Sequence, residues 1–484
     1  MAKVNEFETA RYEYSTGAHQ RFSDEANIHY TYSSADDLLN KLEDLSEFIQ
    51  HHIEHQQPRL LTLRNYYTGN NETILQKNRR KEEHLADHRA THNFAKYVSQ
   101  FIQGYMVGVP LKTTYPTEEV NEKIRVINRT NDADEHNSDL VLDQSIYGRA
   151  YELLYRNKRD ETRFTALDVL ETFVIYDDTV ERNPIAAVRY ISNRFKDDST
   201  VYLYTESKRI EYSMGDDFKI KLVDEEPHFF EGVPIIEYEN NKYRQGDFED
   251  VLNLIDLYDS AQSDTANYMQ DFNDAMLKIV GNLDIDVETA KQMKEHNILL
   301  LQTEPGTDER ASQADADYIY KQYDVAGTEA YKDRVFNNIL LFTSIPNLLD
   351  DKKGTSPQSG EAIKMKLFAL EQKRATKERL FKKSLRDRYR LINNIMSIAA
   401  EGAFNVNDIT ITFTENLPSA IDQELKWFAS LGGELSQETM LSLLSFVDNP
   451  KEELEKLQSE NPLNRPVYDF QTAQPEEVNA DGIE

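Results

Sequence analysis

Cysteine is absent from all 484 residues. That excludes disulfides, thiolate-bound zinc or iron–sulfur centres, and a thiol nucleophile. Glycine and proline are scarce, at 17 and 14, which argues against a low-complexity or disordered chain. Tryptophan occurs once, but 27 Tyr and 22 Phe supply aromatic core material. No window approaches 18 consecutive apolar residues, so no membrane-spanning helix is expected. The first residues, Met1 to Glu8, lack the apolar core of a secretion signal. The expectation is a soluble, intracellular protein of roughly two to four domains. Positive charge is also short. Lys and Arg number 55 against 86 Asp and Glu, a net charge of −31. Such a balance disfavours whole-surface attraction to nucleic acid and leaves room for contact at a few points.

Periodicity predicts an α+β chain, mainly α. Ser34 is an N-cap candidate before an apolar helical set from Leu38 to Ile53. Pro58 begins a further helix that stops at Gly69, and a third spans about Asn93 to Val107. Asn137 to Tyr147 reads as a helix ending near Gly148. Short alternating runs across roughly 149–240 read as one antiparallel sheet region, opening with a hairpin of 150–155 and 163–167. Asp250 to Ile279 reads as a long helix, 281–323 as a small α+β insert, and Gly327 to Ser344 as a second helix. A polar loop, Asn347 to Gly360, leads into a helix from Glu361 to about Ala400. Asp408 to Thr414 reads as a strand, 421–459 as two or three short helices, and the tail after Pro475 as an acidic, mobile end.

Catalytic motifs are missing. The nearest approach to a phosphate-binding loop, Gly354 to Gly360, lacks the lysine and the spacing. Neither Gly-x-Ser-x-Gly nor His-Glu-x-x-His occurs. His84, His88 and His92 stand at i, i+4 and i+8 and would share a helix face able to hold a metal; an Arg-rich, solvated segment is the plainer reading. Gly104 and Gly108 match a close-packing pattern or a helix end. Asn71-Glu-Thr73 and Asn128-Arg-Thr130 match glycosylation acceptors by chance in a chain without a secretion signal. The acids Asp132, Asp134 and Glu135, and Asp315 with Asp317, lack calcium-loop spacing and read as solvated faces. The residues point to no metal, no cofactor and no enzyme.

The long helix is an exception to the acidic balance. Residues 361–390 hold eleven Lys and Arg against four acids, an excess of seven cations. Three readings stay open: a solvated face, a face packed on acidic surfaces of neighbouring subunits, or contact with phosphate.

Three segments, in this order and spacing, resemble the portal proteins of tailed bacteriophages, of the type found in siphophages of Gram-positive hosts. The first is Leu63-Arg-Asn-Tyr-Tyr-Thr-Gly69 with Asn93 to Pro110. The second is Thr343-Ser-Ile-Pro-Asn-Leu348, running through Ser359-Gly-Glu-Ala-Ile363 into the basic helix. The third is Leu435-Ser-Gln-Glu-Thr439 with Phe446 to Glu453. Together the resemblance covers roughly 55–460.

The resemblance implies a portal fold of wing, stem, clip and crown that assembles as a ring. Residues 1–249 would be most of the wing, 250–280 and 324–346 the stem helices, and 281–323 the clip. The tunnel loop would be 347–360, the long helix and a returning wing strand 361–420, the crown 421–462, and the tail 463–484. It also implies a non-enzymatic ring of about twelve copies at one capsid vertex. Double-stranded DNA would pass through the channel during packaging and ejection. Partners would be the terminase motor, major capsid and scaffolding proteins and a head-completion adaptor, with no membrane. The place would be the virion, and the host cytoplasm during assembly. The residues expected at the channel are Asn347, Asp350, Asp351, Lys352, Lys353, Gly354, Thr355, Ser356 and Gln358. Lys364, Lys366, Lys373, Arg374 and Lys377 are expected between subunits or beside DNA. The alternatives are a metal-dependent nucleic-acid enzyme and a generic intracellular scaffold.

Overall fold

The computed structural model describes residues 21–76, 87–192, 199–273, 276–281, 298–302, 315–319, 324–347, 360–400, 402–414 and 436–442, with 447, 453–454 and 456–457. The chain divides into two units: Met1–Pro357 with Lys364–Asn416, and Gln358–Ile363 with Leu417–Glu484.

The first unit opens with a two-residue strand, β1 (Tyr30–Thr31), and a layer of helices. Ser34 caps α1 (Ala35–Asn40), its hydroxyl accepting the Asp37 N–H at 3.1 Å. Asp36 and Asp37 lie in the first turn, where the helix dipole favours acids. Lys41 breaks the helix with a non-helical backbone, and α2 (Leu42–His51) follows. The expected break before Pro58 does not occur. His52–Gln56 forms a π-turn that runs directly into α3 (Gln57–Thr68). There the Gln57 N–H reaches back five residues to His52. Proline has no N–H to donate, and a widened turn accommodates the carbonyl it leaves unpaired. Gly69 ends α3 at φ +84°, as its position predicts.

After a short helix, α4 (Glu72–Leu75), come α5 (Phe94–Val107, capped by Asn93), β2 (Lys112–Thr114), α6 (Glu118–Thr130) and α7 (Ala133–Tyr147). Among the described residues, a Cβ on Gly104 would meet nothing within 4 Å, whereas Gly108 caps the helix end. Gly148 closes α7 at φ +82°, and a Cβ on it would collide with the Arg244 carbonyl. Only glycine fits that corner.

The expected single sheet region is two sheets. One is three-stranded and antiparallel: β3 (Arg149–Arg156) lies between β4 (Thr162–Leu167) and β10 (Ile235–Glu239). The other holds β5 (Thr172–Tyr176), β6 (Pro184–Ile191), β7 (Ser199–Tyr204), β8 (Lys208–Met214) and β9 (Ile220–Pro227) in an antiparallel meander. β1 pairs in parallel at its β5 edge. On β8 the buried residues alternate, Ile210, Tyr212 and Met214, the period of a half-covered strand. They join Leu38, Leu45 and Ile49 of the helical layer in one core.

The helix expected over Asp250 to Ile279 is α8 (Leu252–Asn273) and ends earlier. Met276–Gly281 is a strand, β11, flanked by β12 (Ile298–Gln302, parallel) and β13 (Asp315–Ile319, antiparallel). Met276 and Ile279 fit a helical period by their spacing, but the run Met-Leu-Lys-Ile-Val also suits a strand. Next come α9 (Val325–Thr343), the 39-residue α10 (Gly360–Ile398), and β14 (Thr410–Thr412), which pairs with β2. α10 lies on the second core with Phe381, Leu385, Tyr389 and Ile392 buried. In the second unit, α11 (Gln437–Ser442) starts at Ser436, whose hydroxyl accepts the Thr439 N–H. Apart from 436–442, 447 and four helical residues (453–454 and 456–457), the rest of 421–459 lies outside the described residues.

Candidate functional site

Of the residues expected at the channel, only Asn347 is described; its amide donates to Asn337 Oδ1 at 3.2 Å. Asp350, Asp351, Lys352, Lys353, Gly354, Thr355, Ser356 and Gln358 lie outside the described residues, as does the Lys364 side chain. Lys366 is exposed.

The next three basic residues have partners within the chain. Lys377, read as facing a neighbour or DNA, is buried in its own chain, with Nζ 2.5 Å from Asp247 Oδ2. Lys373 reaches the other oxygen of the same carboxylate at 3.1 Å and also donates to the Thr343 carbonyl. Burial alone would raise the Asp247 carboxyl. The two ammonium groups outweigh it and hold the group well below the usual carboxylate range. Arg374 is clamped within its own helix by Glu371 at 2.6 Å and Glu378 at 3.1 Å. Tyr105 of α5 donates to the same Glu371.

About three turns beyond Lys377, Arg388 is fully buried. It holds Glu152 of β3 at 2.7 Å and stacks over the Phe164 ring at 4.5 Å. His136 and Tyr238 complete the shell around that carboxylate, at 2.6 and 2.8 Å. Burial works to raise Glu152, but Arg388, then His136, bring it down to about 2. Between these ties Ser384 donates to the Glu237 carbonyl. Lys377, Phe381, Ser384 and Arg388 follow steps of four, three and four, one face of a helix. Sequence reasoning missed their partners. The available signal was an acid inside a buried apolar strand, Ala150-Tyr-Glu-Leu-Leu, which requires a cation.

The histidine face does not form. His84 lies outside the described residues, and 87–93 is not helical. Instead this segment runs along α8. The N–H groups of His88, Ala90 and His92 donate to Asn267, Ser263 and Asp259 at 2.6, 2.9 and 2.9 Å. Two residues of extended chain advance about 6.6 Å. Four residues of helix rise about 6 Å. The pitches match closely enough for alternate amides to meet successive turns. Asn71 is buried, with its amide on Asp256 and Asp259, and is not a glycan acceptor.

Among the described residues, one trio of possible metal ligands converges: His29, Glu237 and Glu239, within 4.8 Å of one another. Arg244 lies 2.7 Å from Glu237, and Tyr176 donates to it at 2.6 Å. The guanidinium already occupies the place a cation would take. Burial, then Arg244, lowers His29 to about 4. No described helix is long and apolar enough to cross a membrane.

A family model described as phage portal protein, SPP1 Gp6-like, matches residues 46–462. The chain belongs to this family. It is similar to the portal protein of Bacillus phage SPP1, 25% identical over 397 residues, covering 77% of this chain and 76% of the relative. It is also similar to the portal protein of Clostridium phage phiCD119, 25% identical over 394 residues, covering 74% and 83%. Among solved structures it resembles a chain of "Neck of native GTA particle computed with C12 symmetry". The TM-score is 0.41 and the identity 11%, covering 80% of this chain and 93% of that one. A second is "Neck of empty GTA particle computed with C6 symmetry", at TM-score 0.41 and 12% identity, covering 78% and 98%. Family membership makes the chain a phage portal component, from a family of structural assembly proteins of the virion.

Proposed function

We propose that about twelve copies of this chain form a ring at one capsid vertex. Its axial channel would pass double-stranded DNA inward at packaging and outward at ejection. The observation that carries this reading is the family match over 46–462. The order of elements supports it: helices and sheets, α8, a small three-stranded sheet, α9, then the long α10. In this reading 1–249 is most of the wing and 250–280 with 324–346 the stem. Two strands of the small sheet, β12 and β13, belong to a clip over 281–323, where a terminase motor docks and a head-completion adaptor later replaces it. Residues 347–360 are the tunnel loop, 361–420 the long helix and returning strand, and 421–462 the crown. Capsid and scaffolding proteins surround the wing, and assembly takes place in the host cytoplasm.

The charge fits a conduit rather than a grip. About twelve copies of −31 sum to roughly −370, which repels a duplex carrying one charge per ~1.7 Å of axis. Lys373, Arg374 and Lys377 have intrachain carboxylate partners, which leaves fewer cations to hold DNA. Lys352 and Lys353 are the residues we assign to phosphate contact in the tunnel loop.

Negative-stain images of the full chain test the reading: rings with a central hole are expected, and particles that never close would overturn it. Magnesium-dependent DNA cleavage by the purified protein would favour the enzyme alternative. Replacing Lys352 and Lys353 by Ala is expected to lower particle yield or packaged-DNA length. Unchanged values for both would remove the loop from DNA handling.

A further inference from the structure

The long helix has a second stripe opposite its buried one. Arg379, Lys383, Arg386 and Arg390 repeat the steps of four, three and four, shifted by two residues from Lys377, Phe381, Ser384 and Arg388. Two residues rotate a helix by about 200°, so this stripe points away from the core. The four cations lie within about 60° of one another and span about 16 Å. All four are exposed. Arg390 pairs with Asp387 of its own turn at 3.1 Å. Among the described residues, Arg379, Lys383 and Arg386 have no carboxylate within ion-pair distance.

The matching surface lies elsewhere on the same chain. Glu43, Glu47, Gln50 and Glu54 occupy α2 and the π-turn at the same steps of four, three and four. Glu43, Glu47 and Glu54 are exposed, and Gln50 donates to Glu54 at 2.8 Å. Glu43 and Glu47 meet no cation among the described residues. The two stripes stand on different cores. Leu45 and Ile49 seat α2 on the six-stranded sheet, whereas Phe381 and Leu385 seat α10 on the other core. A closed ring needs two unlike patches per subunit, one to meet the next copy and one to meet the previous. Two helical stripes of equal length and opposite sign fit that requirement.

We infer that the Arg379–Lys383–Arg386–Arg390 stripe of one copy docks on the Glu43–Glu47–Glu54 stripe of the next. This rests on the ring reading. The pairs are exposed, so each is weak and salt-screened, and repetition around the ring gives them effect.

The test uses the full chain and three variants: Arg379→Glu with Arg386→Glu, Glu43→Lys with Glu47→Lys, and all four together. Circular dichroism checks folding, and neutral variants (Arg386→Gln, Glu47→Gln) give a milder second series. Ring yield is read by sedimentation and negative stain at low and high salt. Each reversed pair is expected to cut ring yield at least ~fivefold at low salt, the neutral variants less, and the fourfold variant to recover it. Rings of normal yield from both reversed pairs would overturn the docking and leave the ring reading standing. Failure of the fourfold variant to recover would overturn the pairing of these two stripes. Normal rings that lose DNA retention only in the arginine variant would reassign that stripe to phosphate. A wild-type chain that forms no rings at any salt would remove the ring reading, and this inference with it.

Discussion

Lys377 and Asp247, 130 residues apart in the chain, bring ammonium and carboxylate to 2.5 Å inside the protein. The contact fixes the middle of α10 to the turn before α8. It also accounts for part of the positive excess on a helix otherwise at odds with an acidic chain.

Asp247→Asn strands Lys377 without a full counter-charge. The expected loss is about 3–5 kcal/mol in denaturant unfolding. Lys377→Met costs less, because Lys373 still faces the carboxylate. The pH dependence follows from the sign of the shift. A carboxylate held low when folded lends its stability above the unfolded value of about 3.9 and loses it as pH falls. Glu152 acts the same way between its ordinary range and about 2. Wild-type stability should therefore decline below about pH 5, and Asp247→Asn should decline less steeply.

Arg388→Ala leaves Glu152 buried against Tyr238 and His136 without its guanidinium. A loss of about 3–5 kcal/mol is expected. The double change Glu152→Leu with Arg388→Leu should recover most of it, since no charge then remains unpaired. Thermal unfolding of the three variants checks this. A double variant no more stable than Arg388→Ala would show that the packing of Arg388 over Phe164 matters more than the charge.

Asp259→Ala removes the acceptor shared by the His92 N–H and ring. Hydrogen exchange at His92 should accelerate at least ~tenfold while amides at the centre of α8 stay protected. Equal exchange in both proteins would mean that the segment is held by its other bonds alone.

Local signals make much of the helical frame legible. Ser34, Asn93, Gly69 and Gly148 mark helix ends by their own chemistry, and the long apolar periods of α9 and α10 need no partner to be recognised. What escapes depends on distance. α6 has Val120, Ile124 and Ile127 at helical spacing, but its exposed charges mask the short stripe. The π-turn exists because a proline lies inside a helix that tertiary packing keeps continuous. The division into two sheets depends on β10 joining β3 from more than eighty residues away. The same holds for the basic helix. Its charge is visible in the sequence, but the inward direction of Lys377 and Arg388 is set by Asp247 and Glu152, whose positions only the folded chain supplies.

The seam between 88–92 and α8 has a mechanical side. Its three amide bonds lie side by side along the helix, to Asn267, Ser263 and Asp259. A pull along the α8 axis loads them together, in shear, whereas a pull away from the helix would open them one by one. Slippage is quantised as well: the segment can re-engage only after moving two residues against a whole helical turn. The seam therefore resists sliding far more than peeling, and it holds α8 in fixed register with the chain that crosses it.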